Sequence, residues 1–250
     1  MKRTKTIDLT KPSKLRIDEE TSAFHPSWGN TILMTAYDDE RTFVLTRDGR
    51  NLLLKRPLRE VLSRFALDND VPWYERQAIY DLTGARKGRG YIAGHHRLVP
   101  THGTTNANVV YYMAHWLDEE GIAVHDGKLI VSFHGRKRIF RVWIDTSLKT
   151  FNRLLKAANE VAEYQLDEMV WMMHNYGIKE SDKKESVRYY HTVGDQCRCT
   201  HHELRCACMD TVVRHVLMDY LNEEDCEEAI ARIKRDIKKY NFPDKTCSIV

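Results

Sequence analysis

The sequence lacks any apolar run of about 18 residues, the length that a membrane-spanning helix needs. Its first segment, MKRTKTIDLTKPSK, also lacks the apolar stretch of a secretory signal peptide. We therefore expect a cytoplasmic protein that makes no membrane contact. With 42% hydrophobic and 30% charged residues, the 250-residue chain has the composition of a globular protein, not of a disordered or fibrous one.

Little in the chain points to catalysis or to a nucleotide cofactor. The motifs G-x-S-x-G, H-E-x-x-H and G-x-x-x-x-G-K-[ST] do not occur. Gly88, Gly90 and Ala93 match a degenerate dinucleotide fingerprint, but a helix is expected before them, where the fingerprint needs a strand. We predict a protein that is not an enzyme and needs no cofactor. The alternative is a metal-dependent enzyme that processes nucleic acid with His95, His96 or the cysteines.

Six cysteines are present, and in a cytoplasmic protein they are expected to be reduced thiols or metal ligands. Four of them lie in CRCTHHELRCAC as two C-x-C pairs with two histidines between the pairs. A structural zinc site is one interpretation, but such sites commonly use the wider C-x2-4-C spacing. Reduced cysteines in a packed helix are the other interpretation. The candidate metal ligands are Cys197, Cys199, Cys206 and Cys208.

Hydrophobic periodicity predicts an α+β fold, with an antiparallel sheet, packed helices and a helical C-terminal extension. Three short apolar runs after residue 30 are typical of strands, and PLREVLSRFAL has the spacing of an amphipathic helix. A second helix is expected in WYERQAIYDL, and a strand in VVYYMAHW. Residues 121–144 predict a three-stranded meander whose first turn is Asp126-Gly127, and a long helix follows it.

Composition divides the chain into four segments. Residues 1–25 are basic and aperiodic, which predicts a flexible arm. Residues 26–170 carry the strand and helix patterns, and residues 171–190 have the polar composition of a linker. Residues 191–250 are predicted to be helical and are rich in cysteine. Their helices are a candidate surface for a protein partner.

Basic residues are segregated from acidic ones, although the net charge is only +3. The stretch TGARKGRGYIAGHHR, residues 83–97, holds four glycines, four Arg or Lys and no acid. Residues 128–144 hold five Lys or Arg and no acid. Such clusters suit phosphate contacts, and a hairpin-borne or glycine-flanked Arg suits the narrow minor groove of A·T-rich DNA. A solvated basic surface without a nucleic-acid partner is the competing interpretation.

Five segments between residues 28 and 158 follow one another in a characteristic order. They are WGNTILMTAYDDERTFVL, LLLKRPLREVLSRFAL, YDLTGARKGRGYIAGHHRLVP, NVVYYMAHW and LIVSFHGRKRIFRVWIDTSLKTFNRLLKAAN. This order resembles the competence transcription factor family, ComK, and TGARKG and RPL are the sharpest points of similarity. The resemblance covers roughly half of the chain. YYMAHW lacks the proline of the family's corresponding segment, and nothing beyond about residue 165 is similar.

The resemblance implies a bacterial transcription activator of competence that binds A·T-rich double-stranded DNA through the minor groove as a homo-oligomer. By position, it places Gly84, Arg86, Lys87 and Gly88 on the family's glycine-arginine segment. Charge alone adds further candidates for DNA contact, which are Arg89, Arg97, Arg136, Lys137, Arg138 and Arg141. The protein partner and the regulated proteolysis of the family are expectations that the C-terminal departure leaves open.

Overall fold

The computed structural model describes residues 3–11, 14–84, 89–103, 106, 108–177, 217, 225 and 227–233. The chain divides into two compact units, Met1–Glu168 and Met169–Val250. Within the second unit, residues 227–233 are helical, in a segment for which the sequence predicts a helix. The first unit contains all of the described strands.

The first unit is α+β, as the sequence predicts. The strands are β1 (Arg3–Asp8), β2 (Glu19–Thr21), β3 (Thr31–Ala36), β4 (Thr42–Thr46), β5 (Asn51–Leu54), β6 (Tyr91–Ala93), β7 (His96–Pro100), β8 (Val110–Met113), β9 (Leu117–His125), β10 (Lys128–His134) and β11 (Arg138–Ile144). The helices are α1 (Leu58–Asp68), α2 (Trp73–Leu82) and α3 (Leu148–Asn175), whose last turns belong to the second unit, and a 3₁₀ turn spans Ala114–Trp116.

The strands form two sheets. One has the order β1-β11-β10-β9, and the other has the order β2-β5-β4-β3-β8-β7-β6. Most neighbouring strands are antiparallel, but β1 runs parallel to β11, and β2 runs parallel to β5. Both sheets are therefore mixed, with antiparallel pairs predominating as the sequence predicts and one parallel strand at an edge of each.

Residues 3–8 form strand β1, where the sequence predicts part of a flexible arm. Arg3 lies opposite Arg138 and Asp8 opposite Trp143 in the register with β11. Ile7 of this strand is buried in the core between the sheets. One inward-facing apolar residue is too few for a periodic signal, so only the pairing with a distant strand reveals the element.

Strands β3, β4 and β5 are buried on both faces. On one face, Met34 and Val44 belong to one apolar cluster with Phe65 of α1. On the other face, Phe43 belongs to a second cluster that includes Phe133 of the four-stranded sheet. Burial on both sides explains why these strands are continuous apolar runs in the sequence instead of alternating ones.

The meander and the long helix form as predicted. Asp126 and Gly127 both have positive φ, +50° and +72°, as a two-residue hairpin turn with primed geometry requires. Helix α3 buries Phe151 and Leu154 against the core and continues to Asn175. Residues 171–175, predicted as the start of a linker, are therefore helical. Among the helices in the described ranges, none combines the length and the apolar character that crossing a bilayer requires.

Candidate nucleic-acid interface

Two turns from different sheets meet at one corner of the first unit. In the turn after β10, the main-chain N–H of Arg136 donates to the carbonyl oxygen of Arg47, 3.0 Å away in the turn after β4. Gly135 permits this approach, because a Cβ there would lie 2.3 Å from the Phe140 ring and 3.0 Å from the Arg47 carbonyl oxygen. A main-chain hydrogen bond and a close glycine contact therefore fix the tip of the β10–β11 hairpin.

The cations of this hairpin have no acidic partner in the described part of the chain. Arg136 and Lys137 are exposed at the tip, Arg141 is exposed on β11, and Arg138 is half-buried. Among the described residues, no carboxylate oxygen comes within 4.0 Å of these four cationic groups. We call these four residues the basic corner. Their charges are available to an anionic partner.

Lys5 of β1 lies beside the basic corner and adds to its positive field. Its ammonium donates to the carbonyl oxygen of Gly49 at 2.8 Å and to the side-chain oxygen of Asn51 at 3.0 Å. Burial lowers the pKa of Lys5, and the charge of Arg138 lowers it further, against the opposing attraction of Asp18. Burial is the largest cause, so the lowered pKa mainly reflects the partial removal of the Lys5 ammonium from water.

Only the ends of the predicted glycine-arginine contact segment lie in the described part of the chain. Gly84 follows α2 with φ +70°, a left-handed conformation that glycine adopts without strain at the end of a helix. Arg86, Lys87 and Gly88 lie outside the described residues. Their predicted contact with DNA therefore stays a prediction.

Arg89 and Arg97 are used inside the fold. Arg89 donates to the Asp81 carboxylate at 3.0 Å and also to Gln77, so it is tied to α2. Arg97 of β7 donates to the side-chain oxygen of Asn159 on α3. These partners engage terminal nitrogens of the two guanidinium groups that charge alone had assigned to DNA, while the Nε of each is buried without a hydrogen-bond partner among the described residues. The sequence could not show this, because Arg97 and Asn159 are 62 residues apart.

His96, which the sequence left without a role, belongs to an aromatic cluster. Its ring stacks on Trp28, with the centroids 5.4 Å apart and the planes 12° from parallel. It also meets His115 edge to face at 5.0 Å, and Trp116 lies 4.6 Å from His115. The guanidinium of Arg47 lies over the Trp116 ring at 3.7 Å. These five side chains come from three loops and strand β7, so the sequence does not predict that they contact one another.

The 3₁₀ turn positions the cluster. The sequence predicts one strand for VVYYMAHW, but β8 ends at Met113, and the turn directs His115 and Trp116 towards the loop before β3. The Trp116 indole donates to the carbonyl oxygen of Trp28 at 3.2 Å. In the described ranges, no three His, Cys, Asp or Glu side chains converge as a metal site would need. The four candidate cysteine ligands lie outside those ranges.

The surroundings of His115 fit a single neutral tautomer. Nε2 lies 3.0 Å from the carbonyl oxygen of Trp28 and is assigned as the donor, while Nδ1 accepts from the main-chain N–H of Arg97 at 3.5 Å. Burial lowers the pKa of His115 to about 4, and the nearby His96 and arginines oppose a further positive charge. The imidazole is therefore neutral near pH 7.

We expect the free energy of unfolding to fall as the pH decreases from about 6.5 towards about 4. In this window the unfolded chain binds a proton at His115, whereas the folded chain does not, because its pKa is lowered from 6.5. His115→Gln offers amide hydrogen-bonding groups and removes this titration, so its free energy of unfolding should depend less on pH. Urea unfolding of both proteins at about pH 7, 5.5 and 4.5 measures the difference. Identical pH dependence of both proteins would contradict the assignment.

Comparison of the chain with protein-family models, with curated proteins and with solved structures found no match. The resemblance to the competence transcription factor family therefore rests on the residues quoted above.

Proposed function

We propose that this protein is a sequence-selective, DNA-binding transcription regulator that contacts double-stranded DNA through the basic corner. The observation that carries the proposal is the set of four hairpin cations without a carboxylate partner among the described residues. A cation that is already paired with a carboxylate in the fold gains little free energy from a phosphate contact. An unpaired cation displaces counterions from the DNA when it binds, and their release favours binding.

The rigidity of the corner supports the proposal. The hydrogen bond from Arg136 to Arg47 holds the hairpin tip against the second sheet, so that less conformational entropy is lost on binding. Phosphate contacts from such a surface fix the position of the duplex, while a tip-borne Arg136 suits a narrow, electronegative A·T-rich minor groove. The proposed contact surface is thus the β10–β11 hairpin, and the glycine-arginine segment stays a further predicted contact.

The end of α3 supports the expected homo-oligomer or protein partner. Val170 and Trp171 of α3, and Tyr176 directly after its end, are 61%, 67% and 81% exposed, although they are large and apolar. Exposed apolar groups close together on a surface are typical of protein contact sites. An oligomer would also place two basic corners on one duplex, as the family resemblance implies for paired A·T-rich sites.

An electrophoretic mobility assay tests the proposed function. The full chain is titrated against a duplex with A·T-rich boxes and against a scrambled duplex of the same length, at several salt concentrations. We expect at least about tenfold tighter binding to the A·T-rich duplex, as a few favourable base steps provide. The logarithm of the binding constant should fall with the logarithm of salt concentration with a slope of about −3, which corresponds to three or four phosphate contacts. Equal, salt-independent retention of both duplexes would contradict the proposal.

A further inference from the structure

A cavity of about 540 Å³ opens beside β1, and none of the four residues of the basic corner lines it. Its wall consists of β1, the chain that follows it, and the first residue of β5. Its volume lies within the range of about 300 to 1,000 Å³ that small-molecule sites occupy. The cavity is therefore large enough for a small organic anion.

The lining of the cavity is predominantly cationic. It includes four basic side chains against two carboxylates, and its basic members are Lys5, Lys11, Lys14 and Arg16. Both carboxylates are engaged: Asp8 accepts from the hydroxyl of the following Thr10 at 2.6 Å, and Asp18 accepts from the main chain of β5 at 2.8 Å. The positive charge of the cavity exceeds what these acids neutralise.

Lys11 and Lys14 are the least constrained of these cations. Both are exposed, and no carboxylate of the described chain lies within 4.0 Å of either ammonium. Lys5 contrasts with them, because two acceptor oxygens of the fold already hold its ammonium in the wall. A bound anion would thus meet a fixed cation in the wall and two adaptable ones at the rim.

Apolar groups complete the lining. Ile7 is buried and Leu15 is half-buried, so one part of the wall offers no hydrogen-bonding groups to a ligand.

We propose that this cavity is a binding site for a small ligand that carries a di- or triphosphate group, with its organic part against Leu15. This site goes beyond the proposed DNA-binding function. Several cations around one cavity match adjacent phosphates on one compact ligand better than a duplex backbone, which spreads its charges along an axis.

Isothermal titration calorimetry of the full chain tests the site with three probes: pyrophosphate, ATP and adenosine. We expect saturable binding of pyrophosphate and ATP and none of adenosine.

The variant Lys11→Gln/Lys14→Gln should bind both phosphates at least about tenfold more weakly, because it loses two charge-assisted contacts. The variant Lys149→Gln/Arg153→Gln changes the net charge equally on exposed positions of α3 and should bind as the unchanged protein does. ATP binding well above that of pyrophosphate would identify a nucleotide, and equal binding would identify the phosphate group alone.

Absence of saturable binding of both phosphates would overturn the proposal, as would equal binding by the two variants. Duplex DNA titrated against the same proteins separates this site from the proposed function. Phosphate binding without duplex binding would refute the DNA-binding function and leave the cavity site standing. Weakened duplex binding by Lys11→Gln/Lys14→Gln, with no binding of pyrophosphate or ATP, would make the cavity part of a DNA surface and overturn the small-ligand site.

Discussion

Replacing Arg136 and Lys137 with glutamine is expected to weaken binding to A·T-rich duplex DNA by about 10- to 100-fold at physiological salt. Both side chains are exposed at the tip of the β10–β11 hairpin and lack a carboxylate partner in the described chain. Each phosphate contact contributes about −0.9 to the slope of log K against log salt, so the slope should become about 1.8 less steep. Mobility shifts of the unchanged and variant proteins at four salt concentrations measure both quantities.

The matched control is Lys149→Gln/Arg153→Gln, which removes the same net charge from exposed positions of α3. It should leave the affinity and the salt slope within error of those of the unchanged protein. An equal loss in both variants would show that net charge, and not the basic corner, determines binding. Circular dichroism of each variant establishes that the comparison concerns folded protein.

Replacing Phe140 with alanine is expected to lower the free energy of unfolding by about 3–5 kcal/mol. Phe140 is fully buried, and its ring fills the space beside two glycines, one from each of the turns that meet at the corner. A Cβ at Gly49 would lie 3.2 Å from this ring, and one at Gly135 would lie 2.3 Å from it. Removal of the ring leaves a cavity that those glycines cannot fill, because they have no side chain to move into it. Urea unfolding followed by tryptophan fluorescence gives the free energy.

Ile139→Ala is the control for this substitution. Ile139 precedes Phe140 on the same strand, is half-buried and points to the opposite face of the sheet. We expect its loss to cost about 1 kcal/mol, the typical effect of a substitution outside the core. If Phe140→Ala costs no more than Ile139→Ala, the ring does not join the two turns. A DNA-binding assay on Phe140→Ala would then show whether the corner keeps its geometry without the ring.

The features that the sequence predicts correctly depend on neighbouring residues. The apolar spacing of PLREVLSRFAL specifies α1 within a single segment, and Asp126-Gly127 specifies its turn through local backbone geometry. The runs that became β3, β4 and β5 are also recognisable locally, because burial on both faces selects apolar residues at every position.

The features that it misses depend on residues far apart in the chain. Arg97 donates to Asn159 on α3, and nothing near either residue in the sequence indicates this pairing. The meeting of Trp28, His96 and His115 likewise requires the folded sheet. In contrast, the exposure of Arg136 and Lys137 follows from local geometry, because both residues lie at the tip of a tight hairpin. Local geometry therefore predicts the exposure of the hairpin tip, whereas the contacts of Arg97 depend on the folded chain.

The parallel pairing of β1 with β11 has a consequence for the order of events during synthesis. Arg3 pairs with Arg138, so the edge strand β1 has no partner strand until the ribosome has made 135 further residues. At about 5–20 residues per second, β1 stays without its partner strand for roughly 7 to 27 s. A nascent chain that stops short of residue 138 would thus display both β1 and the second sheet with uncovered apolar surface, a state that chaperones recognise.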